Sequence, residues 1–580
     1  MNQQDTEAPR RVLPTTAEIH AVNQSFGFYG RVGLFVLLVI LVIAVLGGLW
    51  KANQYALIEV PKEGGVLTEG VIGAPRFINP ILAASDADRD LTVLIYSGLM
   101  RVTKDGTLEP DLAEKYTVSP DGKTYTFTLK KGELWHDGKP VTVDDVIFTI
   151  QKTIDPSIKS PRRANWEGVT VHKIDTYTVE FNLRQPYAAF LENTTMGILP
   201  KHRWNGVDAE QFPFSEYNVD PIGSGPYTVA TISRDDNGIP SSYELSPFPR
   251  AVHDDAKIAL TITFYGKSED MLAAYERGDI ESMGAIPAPV ARVLTTRGVP
   301  VVHAPLPRVF GVFINQSQAP IFTHPEVRKA LSLAAPRDRI VQEVLHGYAE
   351  AVDGPIPPGS FGYISSGSAT TTQLEEARQL LDKNGWKEGP DGMRSKTEKG
   401  GTETLAFTLD TSNVPELKAV AELLKEEWKR IGVVVRTQYF EESDLKNLVI
   451  RPRKYDALLF GEVVGRNPDP FSFWHSSQRL DPGLNVALYT NAVVDKLLEE
   501  GRTALTEDEQ RQKIREFQEI IREEVPAIFL YSPQFIYVIP QSLKGVELPP
   551  ITTPSDRFAR VFEWHYESDR VWKIFSDYYN

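Results

Sequence analysis

The chain has 580 residues, more than a single hydrophobic core usually supports, so the sequence predicts two or more structural domains. A formal net charge of −15 argues against nucleic acid as a partner, because binding phosphates needs a basic surface. The lack of cysteine excludes disulfides, thiol nucleophiles, cysteine-bound zinc and a lipid anchor on cysteine.

The first predicted element is a membrane-spanning helix over residues 32–50, a run without a charged side chain. At ~1.5 Å of rise per residue this helix is ~28 Å long, close to the ~30 Å core of a bilayer. Arg31 and two further arginines precede the run, which predicts a cytoplasmic tail over residues 1–31. A tether over residues 51–63 then leads to a folded exodomain on the extracytoplasmic face.

A cleaved signal peptide is the main alternative for this segment. Signal peptides have a short basic region, about 7–15 apolar residues and a cleavage site with small residues. Here 31 residues precede the apolar run, and the flank from Trp50 to Ala56 is a poor cleavage site. We therefore expect an uncleaved, single-pass anchor.

The first part of the exodomain carries the signals of antiparallel hairpins. Residues 124–129 alternate between polar and apolar side chains, which predicts a strand, and further strands are expected at 169–174 and 177–183. Turn signals that end in glycine lie between such runs. They are Asp105–Gly106, Asp121–Gly122 and Asp137–Gly138.

Beyond Val309 the signals become those of an α/β region. Apolar residues recur at helical spacing from Leu417 to Ile431, and Gly432 and three valines follow, which predicts a helix and then a strand. Three threonines are each followed three residues later by glutamate, the pattern of a helix-capping box. They are Thr323, Thr372 and Thr506.

Motifs for catalysis fail on inspection. Gly122–Thr124 resembles the end of a phosphate-binding loop, but the glycine required five positions before Gly122 is Thr117. Ser224 lacks the Gly-x-Ser-x-Gly frame of a nucleophile elbow, because the two glycine positions are Ile222 and Pro226. The sequence therefore predicts a protein that is not an enzyme and has no cofactor or metal.

Residues 460–478 are the strongest candidate for a binding segment. They combine glycine, asparagine and two prolines with aromatic and charged side chains. Rigid aromatic walls beside a few polar groups are typical of a ligand cleft. An aromatic core patch under a long loop explains the same residues equally well, so both interpretations stay open.

Several segments carry a resemblance to one known family. They are Phe77–Pro80, Leu108–Glu114, Asp121–Leu129, Trp135–Val146, Gly223–Tyr227, Glu276–Glu281 and Val525–Tyr531. In order and spacing they resemble the family 5 solute-binding proteins, the oligopeptide- and dipeptide-binding subunits of bacterial ABC importers. The resemblance covers about residues 64–566.

This resemblance implies an α/β, two-lobed fold like that of periplasmic binding proteins, a hinged clamp that closes on its ligand. Lobe 1 is expected over residues 64–307, with an inserted subdomain at about 95–215. Lobe 2 is expected over residues 308–527, and residues 528–580 are expected to return to lobe 1 and form the C-terminus.

In the peptide-binding relatives the ligand lies between the lobes as an extended strand held by main-chain hydrogen bonds. The resemblance implies that a set of positions faces the corresponding cleft of this chain. They are Ala84, Ser85, Asp86, Trp166, Asn413, Glu462, Arg466, Asn467, Asp469, Trp474 and Tyr531.

One departure from the family concerns the ligand's amino end. The relatives carry an aspartate, in the segment that matches Val464–Arg466, which pairs with the peptide's α-ammonium group. This chain has no acid there, so Glu462 or Asp469 is expected to substitute. Otherwise Arg466 favours an anionic or N-blocked ligand.

The sequence thus predicts a membrane-anchored receptor that captures short extracellular peptides. It would deliver them to an ABC permease, which separate ATPase subunits power. Within the fold, a nickel chelate, a sugar or another solute is the alternative ligand. From a different class, a tethered chaperone or sensor using the same clamp stays open.

Overall fold

The computed structural model describes residues 27–249, 255–365, 372–398, 401–465 and 468–572, and also residues 15, 16, 21 and 25. The chain forms two compact units. The first is Met1–Lys62 with Glu567–Asn580, and the second is Glu63–Tyr566.

Helices of nine or more residues are labelled α1 to α10. They are α1 Phe28–Ala56, α2 Asp86–Ile95, α3 Val143–Ile154, α4 Ser268–Arg277, α5 Ala288–Thr296, α6 Pro325–Leu333, α7 Leu374–Lys383, α8 Pro415–Lys429, α9 Ala492–Thr503 and α10 Glu507–Glu524. Shorter α-helical turns are Arg163–Trp166, Phe190–Asn193, Lys201–Trp204, Arg337–Arg339, Glu442–Asp444 and Phe471–Trp474. The π-helical turns are Ile340–Val344 and Leu445–Ile450, and the 3₁₀ turns are Phe212–Phe214, Glu216–Asn218, Pro320–Thr323, Ser476–Gln478, Pro554–Phe558 and Val561–Glu563.

The strands are labelled β1 to β23. They are β1 Leu57–Pro61, β2 Val66–Ile72, β3 Met100–Val102, β4 Leu108–Pro110, β5 Ala113–Val118, β6 Thr124–Leu129, β7 Val169–Lys173, β8 Thr178–Leu183, β9 Tyr227–Arg234, β10 Pro240–Pro247, β11 Ala259–Tyr265, β12 Ser282–Gly284, β13 Val301–Pro305, β14 Arg308–Ile314, β15 Ala349–Ala351, β16 Lys387–Glu388, β17 Arg394–Glu398, β18 Gly401–Thr404, β19 Ala406–Ser412, β20 Val434–Phe440, β21 Ala457–Val463, β22 Ala527–Val538 and β23 Ser568–Trp572.

The first unit contains the apolar helix that the sequence predicts. The segment Phe28–Lys51 of α1 is long and apolar enough to cross a membrane, and its most apolar window is not buried in the protein. The helix continues to Ala56 and leads directly into β1. Strand β1 pairs with β23 in antiparallel register, with Leu57 opposite Trp572.

A twelve-stranded sheet organises the second unit, and the long strand β22 lies at its middle and joins its two halves. The first residues of β22, up to Tyr531, pair with β14, whereas residues 534–538 pair with β13. Residues 306–307 connect β13 to β14 beside it. The chain therefore crosses between two halves of the sheet twice, at neighbouring points.

Separate hydrophobic cores flank the two halves of this sheet. One half is covered by apolar clusters that include Trp428 on one face and Trp474 on the other. The other half packs on clusters that include Trp564 and Met283. A further core forms under the antiparallel sheet β5–β6–β8–β7, where Phe127 and other inward side chains of alternating strands meet.

Local predictions from the first half of the chain are confirmed. Strand β6 covers the predicted residues 124–129, and the three predicted turn glycines have φ of +80°, +66° and +81°, a region that glycine adopts without strain. They are Gly106, Gly122 and Gly138.

Only one of the three predicted capping threonines caps its helix. The Thr506 hydroxyl accepts a hydrogen bond from the N–H of Glu509 at 3.3 Å. The predictions for Thr323 and Thr372 are wrong, because α6 begins after His324 and α7 after Gln373. A proline at the first position of α6 fixes its start one residue later than the pattern predicts.

A buried cluster of charges joins three distant segments of the second unit. The Arg557 guanidinium donates to Glu69 of β2 and to Asp90 of α2, with shortest distances of 2.6 Å to each carboxylate. Tyr537 of β22 donates to Glu69 at 2.7 Å. One guanidinium thus faces two buried carboxylates. Burial raises the pKa of Glu69, and the charge of Arg557 and the hydrogen bond from Tyr537 lower it.

Candidate ligand cleft

The predicted residues Ala84, Ser85 and Asp86 form the start of α2. Ser85 is its N-cap, and Ser85 and Asp88 form a reciprocal capping box. The N–H groups of Ala84 and Ser85 donate to Asp88, at 3.4 and 3.1 Å. This turn is rigid because its main-chain donors are already used.

Arg308 connects this turn to the crossing between the two halves of the sheet. It is the first residue of β14, directly after the crossing residues 306–307. Burial lowers the pKa of Arg308, and the nearby charge of Asp86 raises it. Its Nε is buried and has no hydrogen-bond partner among the described residues. Arg308 was not predicted from the sequence, although an arginine directly before the apolar run of a strand is a usable signal.

A stacked aromatic pair lies on β14 and β22. The rings of Phe310 and Tyr531 are 4.9 Å apart with planes within 3° of each other. Gly461 lies opposite Phe310, and a Cβ there would stand 2.7 Å from the Phe310 ring, so the packing requires glycine. The Tyr531 hydroxyl donates to Glu416 at 2.7 Å. Tyr531, one of the predicted positions, is fully buried.

Asn413 lies close to this pair, in the turn between β19 and α8. Its side chain donates to Glu441, and its N–H donates to the carbonyl of Phe440 at 2.8 Å. Glu416 lies in the first turn of α8, and burial raises the pKa of its carboxyl. The structure thus places Asn413 and Tyr531 at the same end of the sheet, where α8 begins.

Glu462 is a buried carboxylate on β21. It is only 3% exposed, and neither side-chain oxygen has a hydrogen-bond partner among the described residues. Burial raises the pKa of Glu462 well above its ordinary value, whereas the indole N–H of Trp474 lowers it. An unpaired buried carboxylate is costly, so this group needs either a proton or a cation.

Trp474 lies in the core next to Glu462. Its ring centroid is 5.8 Å from that of Phe529 and 6.3 Å from those of Phe313 and Phe517. At 1% exposure it forms part of the apolar cluster on this face of the sheet. Its side chain therefore belongs to the core on this face of the sheet.

Asp469 forms an ion pair instead of standing free. Its Oδ2 is 2.9 Å from Nε of Arg502. Burial raises the pKa of Asp469, and the charge and hydrogen bond of Arg502 lower it. Because Arg502 already balances it, Asp469 has less capacity than Glu462 to bind a second cation.

The Asp469–Arg502 pair also touches a segment from the first half of the chain. The N–H of Ala188 donates to the carbonyl of Arg502 at 3.3 Å, and the Arg502 guanidinium lies 5.8 Å from the Tyr187 ring. Burial, and the charge of Asp469, raise the pKa of Tyr187 to about 12. Tyr187 and Ala188, from the first half of the chain, therefore contact Arg502 from the second half.

Trp166 is separate from the other predicted positions. It is 2% exposed and packs against Phe181 and Phe190, each with a ring centroid 5.9 Å away. It lines a cavity on the side of α2. Arg466 and Asn467, the remaining predicted positions, lie outside the described residues.

The sequence profile of the bacterial extracellular solute-binding proteins, family 5 (middle part), matches residues 107–481. Among curated proteins, the oligopeptide-binding protein AppA of Bacillus subtilis (strain 168) is 29% identical over 511 residues. That alignment covers 84% of this chain and 90% of AppA.

Solved structures share the fold. AppA from Bacillus subtilis in complex with a nonapeptide matches with a TM-score of 0.66 and 27% identity, over 87% of this chain and 100% of AppA. NikZ from Campylobacter jejuni in complex with Ni(L-His) matches with a TM-score of 0.68 and 26% identity, over 86% and 99%. The ABC transporter substrate-binding protein CtaP from Listeria monocytogenes matches with a TM-score of 0.74 and 25% identity, over 87% and 100%.

Proposed function

This chain belongs to family 5 of the bacterial extracellular solute-binding proteins, and on that premise we propose that it is the peptide-capturing receptor of an ABC importer. The family is one of solute-binding proteins, in agreement with the prediction that the chain is not an enzyme. Its place of action is accordingly outside the cytoplasm. The proposed ligands are short peptides, and the proposed partners are a permease and its ATPase subunits.

The observation that carries this proposal is the similarity to AppA, whose structure holds a nonapeptide and aligns over its whole length. An extended peptide offers regular main-chain donors and acceptors, which suit capture between two lobes. The contact of Ala188 with Arg502 supports a clamp that closes around its ligand.

Glu462 is our candidate partner for the α-ammonium group of the peptide. Its carboxylate is buried and without a partner among the described residues, and a ligand ammonium group would compensate the charge. Asp469 is the weaker candidate because it already binds Arg502. The remaining predicted positions, including the Ala84–Asp86 turn, stay proposals for the cleft wall.

The lobe assignment is part of this proposal. Lobe 1 would comprise residues 64–307 with an insertion at about 95–215, and lobe 2 residues 308–527, with 528–580 returning to lobe 1. The change of partner along β22 and the connection at 306–307 support a hinge at these crossings.

We also propose that α1 is an uncleaved single-pass anchor, with residues 1–31 in the cytoplasm. Residues 51–56 continue the helix and lead into a paired strand, whereas a signal peptidase needs an accessible, extended site. Intact-mass measurement of the protein from its membrane fraction tests this. A mature chain that begins near residue 56 would show that α1 is a cleaved signal peptide and not an anchor.

The experiment that tests the peptide proposal is native mass spectrometry of the full chain in detergent, followed by denaturing release of whatever it carries. We expect a series of short peptides that raise the melting temperature when they are added back, since ligands of the folded state stabilise it. A protein that no peptide stabilises would contradict the proposal.

A nickel chelate is the second candidate ligand, because NikZ, solved with Ni(L-His), matches this chain about as well as AppA does. The same experiment separates the two candidates. Stabilisation by nickel with histidine, without stabilisation by peptides, would move the assignment to metal-chelate capture.

A further inference from the structure

The strand pair β1–β23 continues directly from the apolar helix α1. The helix ends at Ala56, β1 begins at Leu57, and the N–H of Leu57 donates to the carbonyl of Asn53 in the last helical turn. Strand β23 pairs with β1 in antiparallel register, so it runs back toward α1. Its last residue, Trp572, lies opposite Leu57 and therefore beside the end of the helix.

The polarity of this strand pair changes along its length. The two residue pairs nearest α1 are apolar, namely Leu57–Trp572 and Ile58–Val571. The next pair is charged, because Glu59 lies opposite Arg570 and their side chains form an ion pair at 3.3 Å. Lys62 and Glu567 form another ion pair at 3.1 Å. The charged residues thus lie away from α1, and the apolar residues lie next to it.

The tryptophans of the chain divide between the two units in the same sense. Of the nine tryptophans in the sequence, seven are fully buried, and all seven belong to residues 63–566. The other two, Trp50 and Trp572, are 67% and 50% exposed, and both belong to the first unit. A tryptophan that the protein itself does not bury is typical of a membrane–water interface, where the ring contacts apolar groups and the indole N–H contacts polar ones.

Water alone is a poor environment for the apolar end of this pair. A two-stranded sheet is only marginally stable in water by itself, and exposed apolar side chains add a hydration cost. In sequence, Phe575, Tyr578 and Tyr579 follow Trp572. This aromatic composition matches that of the belts at membrane surfaces.

The length of α1 places this end of the pair near the lipid headgroups. If residues 32–50 cross the ~30 Å core of a bilayer, Leu57 lies ~10 Å beyond the core, at ~1.5 Å of rise per residue. The headgroup layer on each side is roughly 5–8 Å thick. Trp572, opposite Leu57, therefore lies at the outer edge of that layer, within the length of its own side chain.

We propose that the apolar end of the β1–β23 pair is a second membrane contact, with the indole of Trp572 among the lipid headgroups. Because this contact requires α1 in the bilayer, it rests on the proposed uncleaved anchor. Residues 63–566 form the second unit, and both ends of that unit continue into the strand pair. The receptor would then be attached to the membrane surface through both ends of its exodomain instead of one.

The test uses the full chain in bilayer discs of phosphatidylcholine, with and without a spin label on the lipid headgroup, and measures the tryptophan emission that the label quenches. The buried tryptophans are shielded, so the quenched emission should come from Trp50 and Trp572. Trp572→Phe is expected to remove roughly half of it, as one of two interfacial tryptophans. Trp50→Phe is the matched control and should remove the remainder, so the double variant should show no quenching.

Quenched emission that is unchanged in Trp572→Phe would overturn the proposal, because Trp572 would then be in water or covered by protein, such as a second copy of this chain. The substitution keeps an aromatic ring, and residues 63–566 form a separate compact unit, so an unchanged melting temperature verifies that the variant is folded.

The intact mass of the same samples separates this contact from the anchor. Loss of residues 1–56 would overturn both proposals. An intact chain in which Trp50 is quenched and Trp572 is not would overturn the second contact alone. The readout involves no peptide, so a failed peptide test would count against the proposed ligand and leave this contact standing.

Discussion

Two regions of the protein bury carboxylates in opposite ways. Near α2, Glu69 and Asp90 share the guanidinium of Arg557, and Tyr537 supplies a further hydrogen bond. On β21, Glu462 is buried without a partner among the described residues. The first arrangement is complete in the unliganded protein and serves to join segments. The second is incomplete, as expected of a group that waits for a proton or a ligand.

The largest expected effect is the loss of the complete cluster. Arg557→Met leaves two buried carboxylates uncompensated, and we expect it to lower the free energy of unfolding by about 3–5 kcal/mol. Urea unfolding measures this change. Arg277→Gln is the control, because its ion pair with Asp279 is exposed on both sides and should contribute about 0–1 kcal/mol. If both variants lose the same free energy of unfolding, the buried cluster contributes no more to stability than an exposed ion pair.

The second prediction concerns the incomplete group. Glu462→Gln should weaken binding of a peptide with a free amino terminus by about 2–5 kcal/mol, at least roughly thirtyfold, because a buried charge partner is lost. The N-acetylated form of the same peptide should lose much less. Calorimetric titration of both forms measures the difference, and Glu398→Gln on an exposed strand is the control. Identical losses for the two peptides would remove Glu462 from the role of ammonium partner.

Removal of one hydrogen bond from the complete cluster should cost less. Tyr537→Phe deletes the bond to Glu69 at 2.7 Å and should lower the free energy of unfolding by about 1.5–3 kcal/mol, as for bonds to charged groups. Tyr227→Phe deletes a bond of the buried hydroxyl to the neutral carbonyl of Ile258 and should cost about 0.5–1.5 kcal/mol. The reverse order in chemical unfolding would show that Glu69 is not charged.

The last prediction is a pH dependence at Asp410, which is intermediate between the two cases. One of its oxygens has no partner among the described residues, and burial, together with Asp456, raises its pKa to about 7. The folded state therefore holds this proton more tightly than the unfolded state, so the contribution to stability falls as pH rises from about 4 to 7. Melting temperatures measured across this range should depend less on pH in Asp410→Asn than in the unchanged protein. If the melting temperature of the variant changes with pH as steeply as that of the unchanged protein, Asp410 has an ordinary pKa.

Local features of the fold could be predicted because neighbouring residues specify them. The turn at Gly122 and strand β6 follow from alternation and from the freedom of glycine at positive φ. Helix α8 spans Pro415–Lys429, close to the predicted 417–431, and Gly432 with φ of +81° ends it. The failure at Thr323 shows the limit of this reasoning, because Pro325 competes for the start of α6.

The candidate site was predictable only in part. Similarity of motifs pointed to the turn at Ala84–Asp86 and to β21, but it did not show that Asp469 binds Arg502 or that Trp474 packs in the core. Arg308 and Gly461 were missed since their roles depend on strands that are distant in sequence. Loops align less reliably than strands, which is why loop positions were the weakest predictions.

The sequence by itself determined the family, the apolar helix and the hairpins, because motif order and hydrophobic period are properties of neighbouring residues. Only the tertiary structure decided which charges are paired. Arg557 and Glu69 are 488 positions apart, and no local pattern relates them. The same holds for Glu462, whose carboxylate has no hydrogen-bond partner among the described residues. Whether a buried polar group is satisfied depends on which distant segments pack against it.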